Sequence, residues 1–324
     1  MKQHLKLTLL TLALAMSCGT ALATNNYPNK PIRVIVPYPP GGPADIMARS
    51  LSDKLSEELG QSIIIENKPG ANSMIGTTHV VRSAADGYTL LVTSNVVLLN
   101  ELVSSHSTYR ALTDLTPIAP IAFSPYFLIV NNDFPAKTVA DYISYAKAKP
   151  GELTLASTGN GGTPHLVGEL FQYRTDTNLL HVPYKGSGPA ANDLAGGQVQ
   201  SMFAGMATMG PFVQAGKLRI LASAEDERSP QFPDIPTIKE QGFPGVSSNN
   251  WYAVIGPAGL PANIVKRISE ATEKIVKTDE FLQRMTALGA QPLSMNTEQF
   301  TALYKADSER WKQVIEGNKL RIEQ

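Results

Sequence analysis

Short apolar runs and amphipathic stretches take turns along most of this chain. Ile32-Arg-Val-Ile-Val36, Gln61-Ser-Ile-Ile-Ile-Glu66 and Tyr88-Thr-Leu-Leu-Val-Thr93 have the length and β-branched content of strands. Helical periodicity fills the gaps between them, over 46–59 and 74–84. Strand, helix, strand, repeated, is the pattern of a mostly parallel sheet with helices on its faces. Residues 96–117 are less periodic, and strands at 118–122 and 126–130 follow, interrupted by Ser124-Pro125. A second series then begins, with helices at 136–149, 165–173 and 190–195 and strands at 153–156, 199–204 and 217–222. A charged, proline-bearing stretch at 225–236 precedes a returning strand at 251–255. The rest is helical, over 261–276, 280–288 and 297–316, the last introduced by the start signal Asn296-Thr-Glu-Gln. The expected fold is α/β, with the chain passing into a second lobe near 125 and back near 250.

One junction in this pattern stands out chemically. Pro37-Tyr-Pro-Pro-Gly-Gly-Pro-Ala-Asp45 joins the first strand to the first helix, so it aims helix N–H groups at the sheet's carboxyl edge. Gly41 and Gly42 permit positive φ and close approach, and Pro43 suits the first helical position. A helix start of this kind favours an anion such as a carboxylate. The device recurs in Ser157-Thr-Gly-Asn-Gly-Gly-Thr-Pro164, where Thr163 and Pro164 open the next helix. It recurs again in Tyr184-Lys-Gly-Ser-Gly-Pro189. Ser94 and Asn95 end a third strand at the same edge as Gly41 and Gly42, which makes one shared crevice the natural expectation. Asp45 suits a ligand hydroxyl or amine, and equally a helix cap paired with Arg49 one turn on. His165 lies where it would order its loop more readily than bind a ligand, and Lys185 reads as a solvated rim lysine.

The N-terminus changes the picture of where the chain works. Lys2 and Lys6 precede the uncharged run 7–16, and Ala21-Leu-Ala23 supplies a small-residue cleavage site. Residues 1–23 thus read as a signal peptide cut near Ala23, their apolar run too short to span a bilayer. The one cysteine, Cys18, falls inside that segment and lacks the leucine expected three places before a lipidated cysteine. The formal net charge is zero, which argues against nucleic acid as a partner. Gly186-Ser-Gly188-Pro-Ala-Ala191 imitates a dinucleotide fingerprint without the acidic residue expected some way on. No Gly-x-Ser-x-Gly elbow occurs, and His79, His106, His165 and His181 show no paired ligand spacing. A cleft that closes without chemistry, cofactor or metal is the better expectation.

With these residues identified, the chain resembles the periplasmic solute-binding receptors of tripartite tricarboxylate transporters, the Bug receptors. The resemblance rests on Val36-Pro-Tyr-Pro-Pro-Gly-Gly-Pro-Ala-Asp-Ile-Met-Ala-Arg49, Glu66-Asn-Lys-Pro-Gly-Ala71, His165-Leu-Val-Gly-Glu-Leu-Phe171, His181-Val-Pro-Tyr-Lys-Gly-Ser-Gly-Pro-Ala190 and Trp251-Tyr-Ala-Val-Ile-Gly-Pro-Ala-Gly259, in that order. It implies an α/β, two-lobed periplasmic binding protein of type II, a hinged trap with mixed β-sheets flanked by helices. Lobe 1 would comprise 24–124 with 250–324, and lobe 2 would comprise 125–249. It implies a monomer in the periplasm that grips a small carboxylate between loops 38–44 and 157–163, partly through water, and passes it to membrane permease subunits. The same capture would serve a sensor feeding a two-component system. The candidate site residues are Tyr38, Gly41, Gly42, Asp45, Ser94, Asn95, Ser157, Thr158, Gly159, Gly161, Thr163, His165, Tyr184 and Met206. Two departures matter. Pro43-Ala44 stand where the family commonly has a hydroxyl residue, and Phe203-Ala-Gly-Met-Ala207 lacks an acid that would meet a ligand ammonium.

Overall fold

A computed structural model describes residues 27–248 and 250–317. The segment read as an export signal, with Cys18, lies outside these residues. Two mixed sheets organise the rest. The first contains β1 (Ile32–Val36), β2 (Ile63–Asn67), β3 (Thr89–Ser94), β4 (Leu115–Phe123), β10 (Trp251–Pro257) and β11 (Gln291–Pro292), in the order β11-β4-β10-β3-β1-β2. Strand β1 runs parallel to β2 and β3, whereas β10 is antiparallel to β3 and β4. The second contains β5 (Phe127–Asn131), β6 (Thr154–Ser157), β7 (Leu180–Pro183), β8 (Ser201–Ala204) and β9 (Leu218–Ser223), ordered β7-β6-β8-β5-β9. Here β6 is parallel to β7 and β8, and β5 is antiparallel to both its neighbours.

Helices α1 (Pro43–Leu59), α2 (Met74–Val81), α3 (Val96–Val103) and α4 (Ala111–Asp114) belong to the first passage through lobe 1. Lobe 2 contributes α5 (Val139–Ala148), α6 (Thr163–Thr175), α7 (Ser187–Ala195) and α8 (Met206–Gln214). Helices α9 (Ala262–Val276), α10 (Asp279–Ala287) and α11 (Thr297–Gly317) close the chain. The amphipathic pattern explains α1 directly. Ala44, Met47, Ala48, Leu51, Leu55 and Leu59 recur every three or four residues and bury one stripe against the first sheet. The helix then stops at Gly60, left-handed at φ 68°, whose N–H returns to the Ser56 carbonyl.

Two elements escape the sequence pattern for opposite reasons. Helix α3 is apolar on two sides: Val97 and Leu98 enter the first lobe's core, and Val96 and Leu99 enter the second's. A helix buried between two cores has no polar face to give it a period. Helix α8 carries Pro211 in its interior, which punctuates the sequence as a turn would.

Few residues join the lobes. The chain leaves lobe 1 through Ser124-Pro125-Tyr126 and returns through the segment ending at Asn250. The two crossovers are bonded to each other, with the Ser124 N–H on the Asn250 carbonyl at 2.9 Å and the Asn250 side-chain amide on the Ser124 carbonyl at 3.3 Å. Glu225 accepts the Tyr126 N–H at 3.1 Å and also the Ser248 hydroxyl. Helix α11 then spans the junction: Phe300 and Tyr304 pack on Trp251 in lobe 1, and Trp311 is buried in the second lobe's core. The C-terminal helix thus packs against both cores.

Asp307 pins this arrangement. Its buried carboxylate accepts the Trp251 indole N–H at 2.9 Å and two Arg310 guanidinium N–H groups at 3.1 and 3.0 Å. Removing it strands a buried indole donor and a partly buried cation. Asp307→Ala should therefore lose about 2–4 kcal/mol in urea unfolding, and Asp307→Asn, which keeps an acceptor, distinctly less.

Candidate functional site

A cleft of about 920 Å³ opens between the two sheets at the strands' carboxyl ends. Five helices begin on its walls: Pro43 and Ala44 of α1, Met74 of α2, Val96 of α3, Thr163 and Pro164 of α6, and Ser187 of α7 all line it. The first-turn N–H groups of a helix have no intrahelical acceptor and carry partial positive charge. Their convergence makes the cleft attractive to anions. Among the described lining residues Lys185 is the charged side chain, and none is Asp or Glu.

The loops that open α1 and α6 are conformational twins. Gly41 has φ 78° and Gly161 has φ 74°, a region in which a side chain would be strained. Each glycine N–H bonds to the side chain four residues on, at the third helical position. Gly41 donates to Asp45 Oδ2 at 2.9 Å, and Gly161 donates to His165 Nδ1 at 3.0 Å. The following glycines match as well, Gly42 at φ −77°, ψ 166° and Gly162 at φ −72°, ψ 162°. Their N–H groups turn back to the Pro39 and Gly159 carbonyls. The paired glycines therefore shape the loops and spend their own donors inside them.

What remains for a ligand is complementary. In α1 proline occupies the first position, so Ala44 at the second is the first helical residue with an N–H, and it lines the cleft. In α6 proline occupies the second position, and Thr163 at the first offers its N–H. The two donors come from opposite lobes. The missing hydroxyl at Pro43-Ala44 leaves this main-chain pair in place.

Eight of the fourteen residues expected at the site line the cleft: Tyr38, Gly41, Gly42, Ser94, Thr158, Gly159, Thr163 and Tyr184. The Tyr38 hydroxyl sits 3.0 Å from Ser94 Oγ and 3.3 Å from Thr93 Oγ1, so Ser94 holds Tyr38 in place. The other six stand behind the wall. Asp45 is 3 % exposed and accepts from Gly41, Arg49 and Asn67, so its carboxylate braces the loop instead of reaching a ligand. Burial pushes that carboxyl up, but the bonds from Arg49, Gly41 and Asn67 outweigh it and keep its pKa below the ordinary range. Gly161 faces Val103, and a Cβ there would lie 2.8 Å from Val103 Cγ2. Ser157 bonds to His181 Nε2 at 2.6 Å and shapes its own loop through Gly159. Asn95 is fully buried and accepts from Thr163. Met206 lies in the lower core of lobe 2 with Phe127, against Gly289 of lobe 1.

His165 carries out the loop-ordering role. Its ring stacks on His181 at 3.7 Å and 5° between planes, and its Nε2 lies 3.6 Å from Glu169. Accepting the Gly161 N–H requires an unprotonated Nδ1. Burial, and next the neighbouring His165, lower the His181 pKa from 6.5 to about 4, with Glu169 opposing.

The sequence pattern missed three contributors. Tyr126 and Tyr252 line the cleft from the crossover and the returning strand, and burial raises the pKa of both phenols, so they stay protonated donors. The turn at 71–73 is the third. Ala71, Asn72 and Ser73 have φ 46°, 48° and 74°, three successive non-glycine residues in the left-handed region. Buried Asn100 holds them there, donating to the Asn72 carbonyl at 2.9 Å and Ser73 Oγ at 3.2 Å and accepting from the Asn72 amide at 2.9 Å. Asparagine at 72 is the sole residue type in that run that hints at positive φ.

Two outcomes follow. Asn100→Ala should cost about 2–3 kcal/mol in denaturant unfolding, because it frees a strained turn and leaves buried polar groups unpaired. The lowered His181 pKa means the unfolded chain takes up a proton below about 6.5 that the folded chain refuses until about 4. Folding stability should therefore fall as pH drops through that window, and His181→Gln should flatten the slope in unfolding titrations.

Residues 47–320 match the family model described as tripartite tricarboxylate transporter family receptor. The chain is 35 % identical over 296 residues to protein BugT of Bordetella pertussis, covering 91 % of each chain. It superposes on R. palustris Rpa4515 with adipate at TM-score 0.87 and 33 % identity, covering 91 % of this chain and 99 % of that one. MatC (Rpa3494) from Rhodopseudomonas palustris with bound malate gives 0.84 and 30 %, covering 89 % and 100 %. The chain therefore belongs to the tripartite tricarboxylate transporter receptors, the Bug family, and shares their two-lobed periplasmic binding protein fold.

Proposed function

We propose that this chain, exported to the periplasm as a monomer, captures a small carboxylate between its lobes and delivers it to the permease of a tripartite tricarboxylate-type transporter. The observation that carries the reading is the pair of helix starts at Ala44 and Thr163, from opposite lobes, that line one acid-free cleft, and their N–H groups are the donors this reading assigns to the ligand. A carboxylate has two oxygens, and one can meet each lobe. The adipate bound to Rpa4515 and the malate bound to MatC support a carboxylate as the ligand class. His165 and His181 are spent on holding the second loop, which fits capture without catalysis.

The energetics are adequate. Charge-assisted hydrogen bonds contribute about 1.5–3 kcal/mol each. Three or four reach micromolar affinity, about −8 kcal/mol, after the losses of association. A carboxylate that bridges the lobes favours the closed arrangement, and a permease can select that shape.

Thermal denaturation against carboxylates, amino acids, sugars and neutral amides tests the reading. Carboxylates at a hundredfold excess over Kd should add about 2.7 kcal/mol, several degrees in Tm. Stabilisation by sugars or amides with no response to any carboxylate would refute it.

A further inference from the structure

Thr163 lines the cleft, yet its hydroxyl is already committed. Thr163 Oγ1 donates to Asn95 Oδ1 at 2.8 Å, and both side chains are buried. The bond joins the end of β3 in one lobe to the first turn of α6 in the other. A hydroxyl has one proton to give. With that proton on Asn95, Thr163 Oγ1 offers only lone pairs elsewhere, which a carboxylate oxygen cannot use.

Asn95 is itself anchored at the hinge. Its N–H donates to the Trp251 carbonyl at 3.1 Å, and its side-chain amide lies 3.5 Å from the Ser248 carbonyl. The Ser248 hydroxyl bonds to Glu225, which accepts the Tyr126 N–H at 3.1 Å. Polar contacts thus run from the opening of α6, through Asn95, to both crossovers.

We propose that Asn95 is a positioning residue for ligand capture. It accepts the Thr163 hydroxyl's hydrogen bond, docks the start of α6 on the end of β3, and leaves the Thr163 main-chain N–H as the donor to the ligand. The proposal rests on the reading that an anion occupies this cleft. A neutral amide suits the task because it accepts a hydrogen bond without placing buried negative charge beside the anion. Since the bond spans the lobes, it exists only while they are together, and losing it shifts the ligand-free chain toward the open form.

Titration calorimetry and small-angle scattering on Asn95→Ala, Thr163→Val, Thr163→Ser and the Asn95→Ala/Thr163→Val double variant decide it. Asn95→Ala and Thr163→Val should each weaken carboxylate binding about three- to tenfold, the worth of one net hydrogen bond. The double variant should be no weaker than the worse single one, because both remove the same bond. Thr163→Ser, which keeps the hydroxyl, should recover the affinity that Thr163→Val loses, and the preference order among carboxylates should be unchanged throughout. Without ligand, Asn95→Ala and Thr163→Val should scatter with a larger radius of gyration, and Thr163→Ser should not. Wild-type binding by Thr163→Val, equal losses in the Ser and Val variants, losses that multiply in the double variant, or unchanged scattering would each overturn the proposal. If no carboxylate binds the unmodified chain, the carboxylate reading falls, and the scattering still decides whether the bond holds the lobes.

Discussion

Two hydrogen bonds shape the working face of this protein: Gly41 N–H to Asp45 and Gly161 N–H to His165. Each ties a left-handed glycine to the third residue of the helix that follows, so the loop closes on itself and the helix starts at a set angle. The side chains differ, one a carboxylate and one an imidazole, but the geometry is the same. Each lobe's own environment sustains its brace. Arg49 and Asn67 keep the Asp45 carboxylate ionised, and the stack on His181 confines the His165 ring. With the glycine donors consumed inside the loops, the cleft receives the next N–H in each helix, and alternate placement of proline selects Ala44 on one side and Thr163 on the other.

The scaffold around these loops reconciles two opposed demands. A hinged trap has to separate its lobes, yet each lobe needs a core, and a slender connection alone would leave their relation loose. Helices α3 and α11 meet the second demand by packing on both cores, with Trp311 and Leu99 entering lobe 2 from elements that otherwise belong to lobe 1. The crossovers meet the first, since Ser124 and Asn250 are bonded to each other and can turn as one short unit. Asn95 stands where these arrangements meet, at the end of a lobe 1 strand, the base of α3 and the opening of α6.

Much of this was legible in the residues. Alternating apolar runs predicted the two strand–helix series, and the recurrence of paired glycines before a proline-bearing helix start predicted two helix starts on one cleft. What residue types could not disclose is where each donor goes. A Gly-Gly turn announces freedom of φ, but whether its N–H groups face a ligand depends on a side chain four residues on. Asp45 was therefore equally readable as a contact and as a brace, and His165 more readily as a brace. Pro69-Gly-Ala-Asn72 reads as a turn, but its left-handed run at 71–73 was opaque because those residues are not glycine and the amide that holds them, Asn100, comes from a helix whose apolar faces hide its period. Met206 follows a strand end as Asn95 does, but α8 turns it into the lobe 2 core, and only the packed fold shows that.

The central claim is that a carboxylate bridges the Ala44 and Thr163 N–H groups. A crystal structure of the chain with a carboxylate that co-purifies with it or binds it in solution tests this most directly. The account predicts one carboxylate oxygen within about 3 Å of each nitrogen, or linked to it by a single water, with the Gly41–Asp45 and Gly161–His165 bonds intact. A carboxylate seated on Lys185 alone, or one that displaces Asp45 or His165 to reach the glycine N–H groups, would contradict it.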